Sequence, residues 1–171
     1  MLQTIISRLG WFVLLLFLQV LVFNHIHITG YATPLPYVYF LLILPGNTPR
    51  WLYVALGFIM GLAIDLFTNT PGMAAASLCA CGLLAPLLLK AFKPSDKELS
   101  EMRPSSRSMK WGGFLRYAAS MTFIQCTLFF VIEAFSFNSW QPLLINIGGS
   151  SLLTMLFIYG LERLRSRRPE Q

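Results

Sequence analysis

The sequence predicts an all-α polytopic membrane protein, a six-helix transmembrane bundle with a short second span. Three observations predict it. The 171-residue chain is 56% hydrophobic and only 12% charged, which is about half the charged fraction of a soluble domain. Long apolar runs recur from one end to the other. All 13 lysines and arginines fall in segments that can lie on one side of a membrane,.

The apolar runs give the approximate boundaries of the spans within a single domain, residues 1–171,. Span 1 is followed by no small-x-small cleavage pattern, which favours a retained helix over a signal peptide. Pro86 is expected to kink span 4. Spans 1, 3, 4, 5 and 6 cover about residues 5–23, 50–67, 71–89, 111–135 and 142–162, with a charged loop at about 90–110 and a basic tail at 163–171.

Span 2 is short, because the apolar stretch at residues 35–45 has about half of the roughly 20 residues that a full crossing needs,. If it crosses and the N-terminus is cytoplasmic, every basic residue is cytoplasmic. The positive-inside rule therefore favours six crossings with both termini in the cytoplasm. Irregular backbone around residues 32–35 must then cross part of the membrane, and such backbone needs shielding. We expect span 2 to pack inside the bundle or beside an outward-facing cavity.

An aspartate near the outer end of span 3 is the most informative polar residue. Gly57, Gly61 and Asp65 are spaced four residues apart and share one helical stripe,. The two glycines form a GxxxG pair, which allows a neighbouring helix to approach closely. Pro71 is expected at the first helical position of span 4 and is followed by Gly72,.

Three roles for Asp65 stay open at this point. It accepts amide hydrogens from the start of span 4, aided by the helix dipole, or it contacts a partner protein as well. A proton or ion relay is the third role, although no basic residue lies in another span at that depth. A carboxylate inside a membrane has a substantial free-energy cost, which calls for a structural or functional reason.

Other polar residues in the spans predict hydrogen bonds between helices. Span 4 is rich in small residues, which predicts a central helix packed on several sides. Glu133 is a second acidic group near the outer side, so it and Asp65 are expected to face one outer vestibule. The predicted stripes are Gln19 in span 1, Thr122, Gln125 and Glu133 in span 5, and Asn146, Ser150 and Thr154 in span 6.

The sequence predicts no enzyme, cofactor or metal site. The cysteines Cys79, Cys81 and Cys126 lie in apolar runs and are expected to pack as small apolar residues,. His25 and His27 in the first outer loop lack a third ligand nearby. Nucleic acid is not expected to bind the basic loop and tail, because both lie beside membrane spans, where basic residues set topology and attract anionic lipid.

Two stretches of the chain resemble the rod shape-determining protein family MreD. They are "LQVLVFNHIHITGYATPLPYVYFLLILP" and "GFIMGLAIDLFTNTPGMAAAS". The resemblance covers about residues 15–90, and the rest of the chain matches only in hydropathy and span count. The residues that carry it are Gln19, Asn24, Pro34, Pro36, Gly57, Gly61, Leu62, Asp65, Gly72 and Ala74.

The resemblance implies a non-enzymatic subunit of the bacterial elongation machinery in the cytoplasmic membrane. Such a protein binds MreC and works alongside MreB, RodA and a class B penicillin-binding transpeptidase. The family is also similar to the six-helix substrate-binding (S) components of energy-coupling-factor vitamin transporters, which gives the alternative function. Those components dock their coupling subunit through an Ala-x-x-x-Ala pair on span 1, and span 1 here contains no alanine.

Overall fold

A computed structural model of the chain describes residues 2–22, 33–70, 72–94, 102–134 and 140–167, and within them every regular element is a helix. A π-helical stretch, Leu18–Val22, continues α1, and a 3-10 turn, Pro36–Val38, precedes α2. The α-helices are α1 (Leu2–Phe17), α2 (Tyr39–Leu42), α3 (Arg50–Thr68), α4 (Met73–Phe92), α5 (Lys110–Ala134) and α6 (Trp140–Arg167).

Four of these helices are long and apolar enough to cross a membrane: α3, α4, α5 and most of α6. The part of α1 from Arg8 through the π-helical stretch to Val22 is a shorter apolar helix. The outward faces of the long helices expose large apolar side chains such as Leu66, Phe123 and Leu152. Lipid tails, unlike water, accept such a surface without penalty. The molecule is therefore an all-α membrane bundle, as predicted.

The second segment, residues 33–45, lies at the centre of this bundle. Every residue from 34 to 42 is buried, and Val38, Tyr39, Leu41 and Leu42 have no exposed surface. The prediction that span 2 packs inside the bundle is therefore confirmed. Its helical part is shorter than predicted, because only the 3-10 turn and the four residues of α2 are helical.

One end of the bundle, here called the basic end, consists of residues 44–50, residues 102–109 and the last turn of α6, residues 162–167. Two of the hydrogen bonds that join these three segments come from backbone N–H groups. The backbone N–H of Gly46 donates to the carbonyl oxygen of Met102 at 2.8 Å. The backbone N–H of Ser106 donates to a carboxylate oxygen of Glu162 at 2.6 Å. Residues far apart in the chain thus form one compact surface.

Basic residues concentrate at this basic end. Arg50 begins α3, Lys110 begins α5, and Lys90 lies in the last turn of α4. The first half of α1 also reaches this end, because the ring of Trp11 contacts that of Tyr39 with centroids 5.5 Å apart. Positive charge is therefore concentrated at one end of the helices. The positive-inside rule predicts the orientation of a membrane protein from such an uneven distribution of lysines and arginines.

The opposite end, here called the Asp65 end, holds the connection between the end of α3 at Thr68 and the start of α4 at Met73. The helices near it match the predicted spans closely. At the other end of the chain, α6 is longer than predicted and continues past Glu162 to Arg167, so part of the predicted basic tail is helical. Pro86 lies inside α4, which runs through it to Phe92.

Candidate functional site

The α3–α4 hairpin is held together by glycines that face the backbone of the other helix. A Cβ atom on Gly57 would lie 2.8 Å from the carbonyl oxygen of Leu78, and one on Gly61 would lie 2.6 Å from that of Ala74. Gly82 has the same role in α4, where a Cβ atom would lie 2.7 Å from the carbonyl oxygen of Tyr53. The predicted close approach at the GxxxG pair is confirmed.

Asp65 closes the hairpin at its turn. Its Oδ1 accepts a hydrogen bond from the backbone N–H of Ala74 at 3.0 Å, and its Oδ2 accepts one from Ala75 at 2.9 Å. The hydroxyl of Thr70 donates to Oδ1 at 2.7 Å. These amides belong to the first turn of α4, where backbone N–H groups have no partner within the helix. The carboxylate therefore caps α4 from outside, with its charge favourably placed toward the helix dipole.

Left-handed backbone makes this geometry accessible. Asn69 ends α3 with φ of 56°, and Gly72 precedes α4 with φ of 79°. Glycine adopts such a positive φ without a steric penalty. The prediction that α4 begins at Pro71 was wrong, because the left-handed Gly72 delays the first helical residue to Met73. Pro71 itself and the predicted site residue Asn24 lie outside the described residues.

The first role predicted for Asp65, acceptance of amide hydrogens from the start of span 4, is thus confirmed. The side chain is only 6% exposed, and both of its oxygens accept backbone hydrogen bonds. Its contact with a partner protein and its part in an ion relay stay predictions. Three hydrogen bonds to one carboxylate explain why an acid is retained in an apolar helix.

Three predicted polar side chains bind the non-helical start of the second segment, residues 33–35. Gln19 donates through its Nε2 to the carbonyl oxygen of Pro34 at 3.5 Å, a long bond. The Ser150 hydroxyl accepts the N–H of Thr33 at 3.0 Å, and the Thr154 hydroxyl accepts the N–H of Leu35 at 2.8 Å. Backbone at membrane depth requires such partners. These side chains do form hydrogen bonds between segments, but the bonds join the end of α1 and the middle of α6 to non-helical backbone rather than to another helix.

A further buried network surrounds Gln125 of α5. Its Nε2 donates to the hydroxyl of Ser77 at 2.9 Å and to that of Tyr37 at 3.2 Å. Thr122 is buried as well, whereas Glu133 is exposed at the far end of α5. The three predicted stripe residues of span 5 therefore do not share one buried face. Since the Asp65 bonds described above all stay within its own hairpin, the shared vestibule with Glu133 stays a prediction.

Glu162 is the functional-site candidate that the sequence did not reveal. It has no exposed surface although it lies near the end of a membrane helix. Its Oε2 accepts the hydroxyl of Tyr39 at 2.7 Å, and its Oε1 accepts the Ser106 N–H. Arg165 lies 3.6 Å from the carboxylate. One side chain thus joins α6 to the second segment and to the segment at 102–109.

Two arginines extend this connection. Arg165 donates to the carbonyl oxygen of Pro104 at 3.3 Å, and Arg107 donates to that of Ser166. The buried side chains of Met102 and Met109 anchor the same segment in the core. The only signal in the sequence is an acid followed by an arginine three residues later at the end of an apolar run. That pattern also describes an ordinary exposed ion pair.

The described residues contain no group of three or more His, Cys, Asp and Glu side chains that could hold a metal ion. Cys81 and Cys126 are buried free thiols in the core, as expected of small packing residues. No protein-family model, no curated protein and no solved structure matches the chain. The function is therefore inferred from the geometry and from the motif residues of the two stretches.

Proposed function

We propose that this protein is a non-enzymatic membrane scaffold of the MreD type. In this proposal it belongs to the rod complex that directs lateral peptidoglycan synthesis, and it binds an MreC-type membrane protein. MreB, RodA and a class B penicillin-binding transpeptidase are the further partners. The bacterial cytoplasmic membrane is the proposed location, with both termini on the cytoplasmic side.

The observation that carries the proposal is the state of Asp65. The one acid in the motif stretch has both oxygens occupied by backbone amides of the adjoining helix. A general acid or base, or an ion carrier, gains and loses a proton or ion as it works, and hydrogen bonds from backbone amides favour the permanently charged carboxylate instead. A carboxylate fixed in this way instead sets the shape of a hairpin end, which is what a protein that presents a surface to a partner needs.

The position of the second segment supports the same proposal. Its helical part is buried, and its start is hydrogen-bonded to α1 and α6. Together with the α3–α4 hairpin it accounts for most of the residues that carry the family resemblance. In this proposal those residues build a rigid core, and the partner contacts lie on the hairpin end that the core supports.

Co-purification tests the partner. We expect an MreC-type protein to be retained by the affinity-tagged chain in mild detergent, and to be lost from Gly61→Leu, which separates α3 from α4. Gly160→Leu is the matched control, since a Cβ at Gly160 meets nothing within 4 Å. Failure of the wild-type chain to retain the partner would contradict the proposal. Retention of a water-soluble vitamin together with an energy-coupling subunit would favour the S component instead.

Thiol labelling tests the orientation. Single cysteines replace Ile28, Asn47 and Asn138 in a Cys-free variant of the chain. A membrane-impermeant thiol reagent applied to intact cells is expected to label positions 28 and 138 only. Position 47 belongs to the basic end and should react only after the cells are opened. Labelling at 47 in intact cells would reverse or remove the proposed crossing of the second segment.

A further inference from the structure

A groove between α5 and α6 lies on the outer surface of the bundle. Its volume is about 440 Å³, within the range of roughly 300–1,000 Å³ that is common for small-molecule sites. No part of the proposed scaffold role uses it. The groove is lined by Ala119, Ser120, Phe123, Ser151, Leu152 and Met155.

The groove is apolar although two of its residues are serines. The Ser120 hydroxyl donates to the carbonyl oxygen of Arg116 at 2.9 Å, and the Ser151 hydroxyl donates to that of Gly148 at 2.9 Å. Both hydroxyl protons are therefore used within their own helices. The surface that remains consists mainly of carbon atoms, which suits a hydrocarbon chain rather than a polar ligand.

Beyond the lining residues of the groove, toward the basic end, α5 and α6 carry aromatic and positively charged side chains, and this end of the groove is here called its mouth. The rings of Trp111 and Tyr159 lie 5.3 Å apart and join the two helices there. The guanidinium of Arg163 lies over the Tyr159 ring, 5.5 Å from its centroid. Tryptophan and tyrosine are enriched at the depth of lipid headgroups. The mouth of the groove is thus built as a headgroup environment.

Arg116 lies between this mouth and the apolar floor. It is six residues into α5, about 9 Å along the helix axis from Lys110,, and its side chain is exposed on the outer face. The ion pair found in the described part of the chain joins Arg165 to Glu162, so Arg116 meets no carboxylate there. A cation on a membrane helix needs an anion or a path to the interface, and a phosphate matches a guanidinium well.

The side chains at the edges of the groove favour a lipid tail over a partner helix as its occupant. Phe123 is 57% exposed and Leu152 is 71% exposed, so both project outward beside the floor. Interfaces between membrane helices are enriched in small residues that let the backbones approach closely. The two projecting side chains hinder so close an approach of a second backbone, whereas a single hydrocarbon chain fits between them.

We propose that the α5–α6 groove binds an anionic phospholipid of the leaflet at the basic end. An acyl chain lies along the floor between Phe123 and Leu152. The phosphate contacts Arg116 and is framed by the Trp111–Tyr159 pair, with Arg163 as the second cation. This lipid site is independent of the MreC-type partner.

Native mass spectrometry tests the proposal on the full chain released from mild detergent. The titrants are phosphatidylglycerol and phosphatidylcholine with identical acyl chains. We expect phosphatidylglycerol to bind more tightly, and Arg116→Gln to weaken it about fivefold, the factor that corresponds to about 1 kcal/mol per basic residue. Arg50→Gln, an exposed arginine at the same end but on α3, should leave the affinity unchanged.

A second pair of variants tests the acyl part of the site. Ala119→Phe places a ring on the floor of the groove, and we expect it to weaken both lipids. Ala91→Phe is the matched control, because Ala91 is an exposed alanine on α4. Unchanged thermal unfolding of all four variants shows that the comparison is made between folded proteins.

Several outcomes would overturn the proposal. Equal affinity for the two lipids would show that the groove does not recognise the anionic headgroup. An equal loss of phosphatidylglycerol affinity in Arg116→Gln and Arg50→Gln would show that only the general positive charge of the surface attracts the lipid. Binding of soluble glycerol phosphate as tightly as phosphatidylglycerol removes the acyl groove. Protein dimers that appear only without lipid and are abolished by Ala119→Phe would assign the groove to a second copy of the chain.

Discussion

Two buried carboxylates hold opposite ends of this bundle, and they connect different parts of the chain. Asp65 binds amides nine and ten residues away and closes one hairpin. Glu162 binds a hydroxyl 123 residues away and an amide 56 residues away. The Asp65 end is thus held by contacts local in sequence, whereas the basic end is held by contacts that exist only once the bundle has assembled.

The difference has a physical consequence. A hairpin of two adjacent helices joined by four residues loses little loop entropy when its contacts form. The Glu162 contacts close long loops, so they depend on the prior packing of α6 against the second segment. We therefore expect changes at the Asp65 end to act on the whole bundle through the α3–α4 hairpin. Changes at Glu162 should first release the segment at 102–109.

Gly61→Leu is expected to have the largest effect of all. A Cβ atom at this position would lie 2.6 Å from the backbone carbonyl of Ala74, so α3 and α4 must move apart. Overpacking costs about 1–3 kcal/mol and more when backbone cannot yield. Thermal unfolding in detergent should show a drop at or above that range. Gly160→Leu, in open space, should unfold like the wild type, and equal stability of the two variants would contradict the close packing.

Glu162→Leu comes next. The Tyr39 hydroxyl and the Ser106 amide lose their buried acceptor, and we expect the free energy of unfolding to fall by about 1–3 kcal/mol. Since Ser106 lies in the segment at 102–109, we expect trypsin to cleave faster after the exposed Arg107, which is followed by Ser108. The readout is limited proteolysis followed by mass spectrometry. Glu133→Leu removes an exposed acid and should leave cleavage after Arg107 unchanged. If Glu162→Leu loses stability without faster cleavage, the segment is held by its buried methionines instead.

The contrast between the two ends explains what the sequence could predict. The stripe of Gly57, Gly61 and Asp65 and the turn that follows are close in sequence, so helical periodicity alone indicated their contacts. Likewise, the burial of the second segment followed from its length and the thickness of a membrane. Glu162 was missed because its partners are known only from the packing of non-adjacent helices, which one sequence does not encode in any local pattern.

Smaller errors have equally local causes. The start of α4 was misplaced because glycine at position 72 takes a left-handed backbone that the proline before it did not indicate. The polar stripe predicted for span 5 wrongly included Glu133, because this residue falls on the exposed side of α5. The π-helical turn around the buried Gln19 was not predicted. Five residues are too few for the spacing of apolar side chains to distinguish a π-helix from an α-helix,.

Asp65→Asn tests how much the two backbone hydrogen bonds to the Asp65 carboxylate stabilise the Asp65 end. From the sequence, a mild effect is expected, because asparagine keeps an acceptor and the shape of the side chain. Both oxygens accept an amide, however, so the asparagine NH₂ group must face one of two N–H donors. We expect a loss of about 1–3 kcal/mol, the cost of one buried unpaired amide, and a greater loss for Asp65→Leu. Thermal unfolding of both variants, with retention of the MreC-type partner, gives the comparison.

Two outcomes at Asp65 separate structure from partner contact. If Asp65→Asn matches the wild type in stability and still loses the partner, the charge itself belongs to the interface. If Asp65→Leu also unfolds like the wild type and retains the partner, the hydrogen bonds to Ala74 and Ala75 contribute little. The ion relay would then become the leading reason for the acid.

Thr154→Val is the smallest expected change, and it probes the region between the two ends. The Thr154 hydroxyl donates to the carbonyl oxygen of Ser150 and accepts the N–H of Leu35. Valine keeps the shape and loses both bonds. Hydrogen bonds of this kind average about 0.6 kcal/mol in membrane helices, with a maximum of about 1.7.

Thr127→Val is the control for Thr154→Val, because the Thr127 hydroxyl donates only within its own helix, to Phe123. The excess destabilisation of Thr154→Val over Thr127→Val, measured by thermal unfolding in detergent, isolates the bond to the second segment. We expect this difference in unfolding free energy to be larger than the average of about 0.6 kcal/mol. The Leu35 amide lies in a non-helical stretch, so no backbone carbonyl of its own helix can accept its hydrogen once the hydroxyl is gone. An excess of zero would mean that packing alone holds this segment, and that the two ends are coupled through the core rather than through its hydrogen bonds.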